Sequence, residues 1–435
     1  MKARKLSVAS QQASGPKFID IHEKPPLLTA IPLSLQHLFA MFGSTILVPI
    51  ILGVNPATIL LMNGIGTLLY LFICKGKIPA YLGSSFAFLS PVTLVIGKYG
   101  YESALGGFIV VGIVFTLVAL LVGKIGIGWV DVVFPPAAMG AIVAIIGLEL
   151  VPTAARQAGL IGETVNGVAW SPDPKAVIAS LVTFGLAVFG TVLFRGFLRI
   201  ISILFSIIVG YLIAIPLGLV DFTPVKDASW FQMPTFYTPS FDLSAILIIL
   251  PAALVVIAEH VGHLIVTGNI VNKDLVKDPG LHRSMLGNGI STIISGFVGS
   301  TPNTTYGENI GVLALTRVYS VFVVGGAAVF AILLSFIGKV AVLIQIIPPP
   351  VLGGISLVLY GVIGASGIRI LVDSKVDYGK AQNIVLTTVV FVIGLSGIVL
   401  KFGNFEMKGM ALATVVGIIL SLIFKLAEKL KLTTD

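Results

Sequence analysis

The segment "VVIAEHVGHLIV", residues 255–266, sets Glu259, His260 and His263 inside an otherwise apolar run. Glu259 and His263 are four residues apart, so a helix places them on one face with Cβ atoms about 6 Å apart. Burial works against the charged form of each group, while their mutual attraction favours it. A carboxylate and an imidazole balanced in this way suit a site that loads and releases a proton. A second acid comes from "TPNTTYGENIGVLALTR", residues 301–317. Thr301, Asn303, Thr304, Thr305 and Gly307 suit an extended lead-in to a short helix, with Glu308 near its N-terminus. Backbone N–H groups there lack intrahelical partners. They can meet a ligand's carbonyl oxygens, and the carboxylate can accept its N–H groups. In the other half, "LGSSFAFLSP" offers Ser84, Ser85 and Phe86 at the head of another short apolar stretch. Gln36 and His37 are polar residues within the first apolar run, and Gln36 lies 223 positions before Glu259. The spacing argues against a zinc peptidase. That motif sets two histidines four residues apart, whereas His260 and His263 are three apart and no third ligand stands out. No cofactor, metal or enzymatic activity is expected.

The solvent around these groups follows from composition. The chain has 435 residues, 56% hydrophobic and 11% charged, with a mean hydropathy of +1.06. Soluble domains carry about 25% charged residues. Apolar runs of about 20 residues, enough to cross a bilayer, recur from Ile31 almost to the end, without the alternating segments of a membrane β-barrel. This pattern predicts an all-α polytopic membrane protein of fourteen segments: 31–52, 56–74, 82–97, 101–123, 128–150, 174–195, 198–220, 243–271, 283–300, 304–317, 319–342, 349–368, 381–400 and 408–428. The third and tenth are too short for full spans and are expected to be discontinuous. Residues 1–26 form a basic cytosolic tail with no apolar h-region beside it. With that end inside, the outer face holds Lys98, Arg156, Lys175, Lys226, Lys339, Lys401 and Lys408. The other twenty of the 27 basic residues fall inside, as the positive-inside rule requires. The +8 charge is thus a topology signal, and no nucleic-acid partner is implied. Loops 151–173 and 221–242 fall outside, the C-terminus inside. The single cysteine, Cys74, excludes an internal disulfide.

The chain also echoes itself. "FPPAAMGA" (134–141) matches "IPPPVLGG" (347–354), with Pro135, Pro136 and Gly140 against Pro348, Pro349 and Gly353. "YLGSSFAF" (81–88) answers "GSTPNTTYGEN" (299–309). Both offsets are near half the length, which divides the segments into two halves of seven. An odd number per half makes the repeats inverted in the membrane, the plan of secondary transporters whose sites form at broken helices.

The stretches "LQHLFAMFGSTILVP", "PAYLGSSFAF", "AEHVGHLIVTGNIV" and "TTYGENIGVLALTR" resemble the nucleobase–ascorbate transporter family, nucleobase:cation symporter family 2, and within it the bacterial uracil permeases. The family signature falls on Glu308, Asn309, Gly311, Thr316 and Arg317. The resemblance implies a core domain (27–123 and 243–342) that moves against a gate domain (124–220 and 343–430), with an extracellular loop at 221–242. It implies proton-coupled uptake of uracil across the bacterial cytoplasmic membrane, by a protein that is usually a homodimer. Carried over by residue, Glu259 and Glu308 hold the base, with backbone groups at Phe86 and Gly307. Tyr306 and Ser85 line the pocket. His263 couples to the proton together with Glu259 and Glu308, and Gln36, His37, Asn309 and Thr316 lend support. Purine-transporting relatives tend to carry Gln where Glu308 stands, so the acid favours uracil. Uracil is neutral, with two N–H donors and two carbonyl acceptors. Carboxylates and free helix N–H groups complement that set, and an aromatic ring can stack on it. The alternatives are a xanthine or broader nucleobase symporter, a passive nucleobase channel and an intramembrane hydrolase. A channel needs no protonatable pair, and a hydrolase needs a nucleophile or metal triad.

Overall fold

The computed structural model describes residues 18–126, 128–163, 169–402 and 405–432. Residues 1–17 of the basic tail lie outside the described residues. The first part of the chain runs α1 (Leu27–Leu52), α2 (Pro56–Ile73), strand β1 (Leu82–Ser84), a single 3-10 turn (Phe86–Phe88), α3 (Leu89–Tyr99) and α4 (Tyr101–Ile125). It continues through the turn α5 (Val130–Val133), α6 (Pro136–Gln157), α7 (Pro174–Leu193), α8 (Phe197–Ile200), α9 (Ser202–Ala214) and α10 (Thr223–Asp227). The second part holds α11 (Leu243–Val271), α12 (Leu281–Val298), strand β2 (Asn303–Thr305), α13 (Gly307–Thr316), α14 (Val321–Ser335) and α15 (Gly338–Gln345). Then follow α16 (Pro349–Asp373), α17 (Ala381–Leu395), the hairpin β3–β4 (Val399–Phe402, Phe405–Lys408) and α18 (Gly409–Lys429).

Among the described residues, eight helices are long and apolar enough to cross a membrane: α1, α2, α4, α6, α7, α11, α16 and α18. The α3 region, α9, α14 and α17 are apolar but shorter. α12 has 18 residues yet is less apolar, because it buries Ser284, Asn288, Ser291, Thr292 and Ser295. The prolines of the first echo explain where two helices begin. Pro136 and Pro349 each open a helix, where a proline costs no hydrogen bond. The expected segment 128–150 therefore starts late and runs to Gln157, with the apolar residues before it turned into α5. Segment 319–342 is likewise divided between α14 and α15, and 381–400 ends at Leu395 before the hairpin. α9 stops at Ala214, short of the expected 220.

Small residues set the helix spacing. A methyl group built on Gly112 of α4 would lie 2.8 Å from the Gly289 carbonyl oxygen of α12. One on Gly147 of α6 would lie 2.1 Å from the Tyr360 carbonyl oxygen of α16. The helices thus pack backbone to backbone in pairs.

The second echo becomes the centre of the fold. β1 and β2 pair antiparallel with Leu82 opposite Thr305, Gly83 opposite Thr304 and Ser84 opposite Asn303. Both strands are buried, where unpaired backbone N–H and C=O groups are costly. Each strand supplies the other's partners, and the pairing extends through Tyr306 N–H to the Tyr81 carbonyl (3.0 Å) and Ser85 N–H to the Pro302 carbonyl (3.2 Å). Side chains brace the crossing. Asn303 Nδ2 donates to the Met62 carbonyl (3.1 Å) and to Ser291 Oγ (2.7 Å), and Leu82 N–H donates to Thr67 Oγ1 (2.9 Å).

Gly147→Ala is expected to cost about 1–3 kcal/mol, because the new methyl meets backbone that no rotamer can move. Gly361→Ala, on the facing helix α16, meets nothing within 4 Å and serves as the control. Thermal unfolding of both variants in detergent checks this: the first should unfold at lower temperature and the second should not.

Candidate functional site

The strand pairing ends two helices deep inside the protein. β1 leads into the turn at Phe86 and β2 into α13 at Gly307, and both residues line one cavity of about 310 Å³. Glu259, Gly262, His263, Val266 and Ile270 of α11 form a second wall, and Val362, Ile363, Ser366, Arg369 and Asp373 of α16 a third. The cavity reaches the surface at the C-terminal end of α16, where Ser366, Arg369 and Asp373 are exposed. There Arg369 Nε sits 3.2 Å from Asp373 Oδ2.

α11 carries Glu259 and His263 on one face, as their spacing requires. Nδ1 of His263 lies 2.9 Å from the Thr305 carbonyl oxygen and 3.2 Å from Thr305 Oγ1. A carbonyl oxygen only accepts, so Nδ1 carries the hydrogen and the neutral ring presents a bare Nε2 lone pair. That Nε2 is 4.0 Å from Glu259 Oε1. At this distance no direct hydrogen bond forms, and an ionised Glu259 would leave two acceptors facing each other without a donor. The other carboxylate oxygen, Oε2, has no hydrogen-bond partner among the described residues. Both side chains are about one-sixth exposed, at 16% and 17%, because they face the cavity. The arrangement has room for one proton between Glu259 and His263, and it leaves Oε2 buried with its acceptor capacity unused.

Glu308 is the second residue of α13 and also faces the cavity. Ser44 of α1 donates its hydroxyl to Glu308 Oε1. Phe86 is nearly buried and meets Tyr360 edge to face at 6.1 Å, leaving part of its ring on the cavity. The Ser85 hydroxyl, also at the lining, is buried without a hydrogen-bond partner among the described residues. Tyr306 reaches the lining but turns its ring onto Gly83. A methyl group there would lie 2.0 Å from Tyr306 Cζ. Of the two aromatic residues expected near a planar ligand, Phe86 therefore has the more available face.

The supporting residues stand behind the lining. Asn309 accepts from Tyr81 N–H at 3.2 Å through Oδ1, and its Nδ2 donates to His37 Nδ1 at 3.1 Å. It ties the start of α13 to β1 and α1. Thr316 closes the far end of α13: its hydroxyl donates to the Val312 carbonyl at 2.8 Å and accepts from Val318 N–H at 3.2 Å. Gln36 is half-buried on α1 and is not among the residues that line the cavity. His260 turns away from His263. Asn288 Nδ2 donates to its Nδ1 (2.9 Å), so its Nε2–H donates to Ser284 Oγ (2.8 Å).

Sequence reasoning passed over several neighbours. Ser44 gave no signal among the small residues of α1. The α16 wall reads only as an apolar run. Glu149, by contrast, is an acid inside an apolar stretch, the same signal that exposed Glu259. It accepts from Ser90 Oγ of α3 at 2.9 Å and from Met410 N–H of α18 at 2.8 Å.

With this geometry in view, the likeness to other proteins is informative. A sequence model described as "Permease family" matches residues 28–403. The uracil permease of Paenibacillus larvae subsp. larvae is 64% identical over 419 residues, covering 96% of this chain and 99% of that protein. The uracil permease of Escherichia coli strain K12 is 66% identical over 418 residues, covering 95% and 96%. Among solved structures, murine Solute Carrier 26 family member A9, an anion transporter, superposes with a TM-score of 0.68 at 11% identity, covering 97% of this chain and 74% of that one. At that identity the likeness concerns the fold. The matched length, the identities and the eight long apolar helices agree: the chain is a multi-pass membrane protein and belongs to the permease family.

Proposed function

We propose that this protein carries uracil into the cell together with a proton, by alternating access across the bacterial cytoplasmic membrane. One observation carries the reading: Glu259, Glu308, Phe86 and Gly307 line a single cavity at the crossing of two broken helices. The names of the relatives support uracil as the cargo. Uracil has two N–H groups for the carboxylates and two carbonyl oxygens for free N–H groups at the start of α13 and of the Phe86 turn. Phe86 offers it an apolar face. His263 and Glu259 hold the coupling proton between them, because neutral His263 presents an acceptor to an acceptor. A base that binds to ionised Glu259 and a proton that binds beside it lower each other's cost, which links their entry.

In this reading the fourteen segments form two inverted repeats of seven. α1–α4 and α11–α14 make the core domain, and α6–α9 and α16–α18 make the gate. The cavity wall on α16 is then the gate's contribution, and its opening beside Arg369 and Asp373 faces the cytosol. Both termini are cytosolic, and two copies of the chain assemble as a dimer.

The direct test is uptake of radiolabelled uracil in a permease-deficient strain, with unlabelled bases as competitors. Uptake should collapse when the proton gradient is dissipated. Glu308→Gln exchanges an acceptor for a group with donors, and the lost charge-assisted bond is worth roughly 1.5–3 kcal/mol. Uptake at low uracil should fall by at least tenfold, and unchanged uptake would remove Glu308 from the site.

Glu259→Ala and His263→Ala are expected to differ. The first should abolish binding. The second should bind weakly and still exchange uracil, yet fail to accumulate it against a gradient. Normal accumulation by His263→Ala in proteoliposomes would assign the proton to another group. For topology, cysteines placed in 151–173 and 221–242 should label from outside intact cells, and those in 272–283 should not. External labelling of 272–283 would overturn the inverted arrangement.

A further inference from the structure

We infer that Ser44 is a positioning residue of this site: its hydroxyl fixes the Glu308 carboxylate so that the oxygen left free meets a ring N–H of the base. The inference rests on the transport reading, since it requires a base held by Glu308.

Ser44 is 1% exposed in the middle of α1 and does not line the cavity. A serine or threonine inside a helix often returns its hydroxyl to the carbonyl four residues back. Thr45 does so to Met41, and Thr267, Thr316 and Thr414 do the same in their own helices. Ser44 instead gives its hydroxyl to Glu308 Oε1 on α13. That bond crosses from a long helix to a half-helix of ten residues whose first turn carries both Gly307 and Glu308.

The consequence is geometric. An unheld carboxylate turns about its last side-chain bond and presents either oxygen in a broad range of directions. With Oε1 engaged by Ser44, that rotation is restricted, and Glu308 lines the cavity with its other oxygen outside the Ser44 bond. Glu259 has no such support: its Oε1 is 4.0 Å from His263 and its Oε2 is unpartnered. The two carboxylates of the site thereby acquire different work. Glu308 is held still to orient the base, and Glu259 stays free to exchange a proton with His263. A hydroxyl too deep to touch the ligand therefore acts on recognition through the acid in front of it.

The experiment measures uracil affinity by calorimetry and unfolding temperature without ligand, for wild type, Ser44→Ala, Glu308→Gln and the double variant. Ser44→Ala should weaken uracil binding roughly tenfold, the size of one hydrogen bond to a charged group, while its ligand-free unfolding temperature stays near that of the wild type. In the Glu308→Gln background the same substitution should cause no further loss, because the group it acts through is gone. Uracil affinity within twofold of wild type for Ser44→Ala would overturn the inference, as would an equal loss in both backgrounds. A wild-type protein that fails to bind uracil would instead refute the transport reading itself, so the two failures are distinguishable.

Discussion

The structure depends on one backbone arrangement, the antiparallel pairing of β1 and β2 inside an otherwise helical body. An extended segment among apolar helices has no water for its N–H and C=O groups, and each unmet group costs several kcal/mol. Neither strand is tolerable alone. Together they satisfy one another from Leu82–Thr305 to Ser84–Asn303. The site follows from that solution. The chain leaves the pair by two helix starts, Phe86 and Gly307, whose first N–H groups have no helical partners. The antiparallel register sends the two helices apart and leaves both starts at one cavity, with α11 and α16 to close it. Gly83 belongs to the same arrangement, because only a residue without a side chain leaves room for the Tyr306 ring over β1.

Around this frame the polar chemistry is divided between helices. The Thr305 carbonyl, part of β2, holds His263 Nδ1 and so dictates which ring nitrogen faces Glu259. The strand that creates the cavity also sets the tautomer of the residue beside it. α1 reaches across to Glu308 through Ser44, and Asn309 anchors the base of the same half-helix to His37 and Tyr81. The wall from α16 combines Val362, Ile363 and Ile370 with Ser366, Arg369 and Asp373, and takes part in none of the bonds just named. A movement of α16 would therefore change access to the polar groups without disturbing the bonds that orient them. Glu149 of α6 bonds both to Ser90 of α3 and to Met410 N–H of α18, tying three helices together.

Much of this was legible in the chain because burial makes polar residues conspicuous. Glu259, His263 and Glu308 stand out in apolar surroundings, and all three reach the cavity. The short echo at 81–88 and 299–309 marked the two segments that open the short spans, yet only 301–307 read as extended and neither as a paired strand. Helix ends were less legible. Pro136 and Pro349 fix helix starts, but hydropathy alone merged α5 into the next segment and α14 with α15. The hairpin at 399–408 was hidden for the same reason, as an apolar run gives no period to separate strand from helix end. Ser44 and the α16 wall lay beyond reach because their part in the site comes from packing across more than 50 positions of sequence.

The central claim is that base and proton occupy this cavity together. It is tested most directly by proton movement during uracil entry into proteoliposomes that hold a pH-sensitive dye and no imposed gradient. Added uracil should acidify the lumen for the wild-type protein, at a rate that follows uracil uptake, and the acidification should vanish in His263→Ala while exchange of labelled uracil persists. Uracil entering the wild-type vesicles with no change in lumenal pH would contradict it.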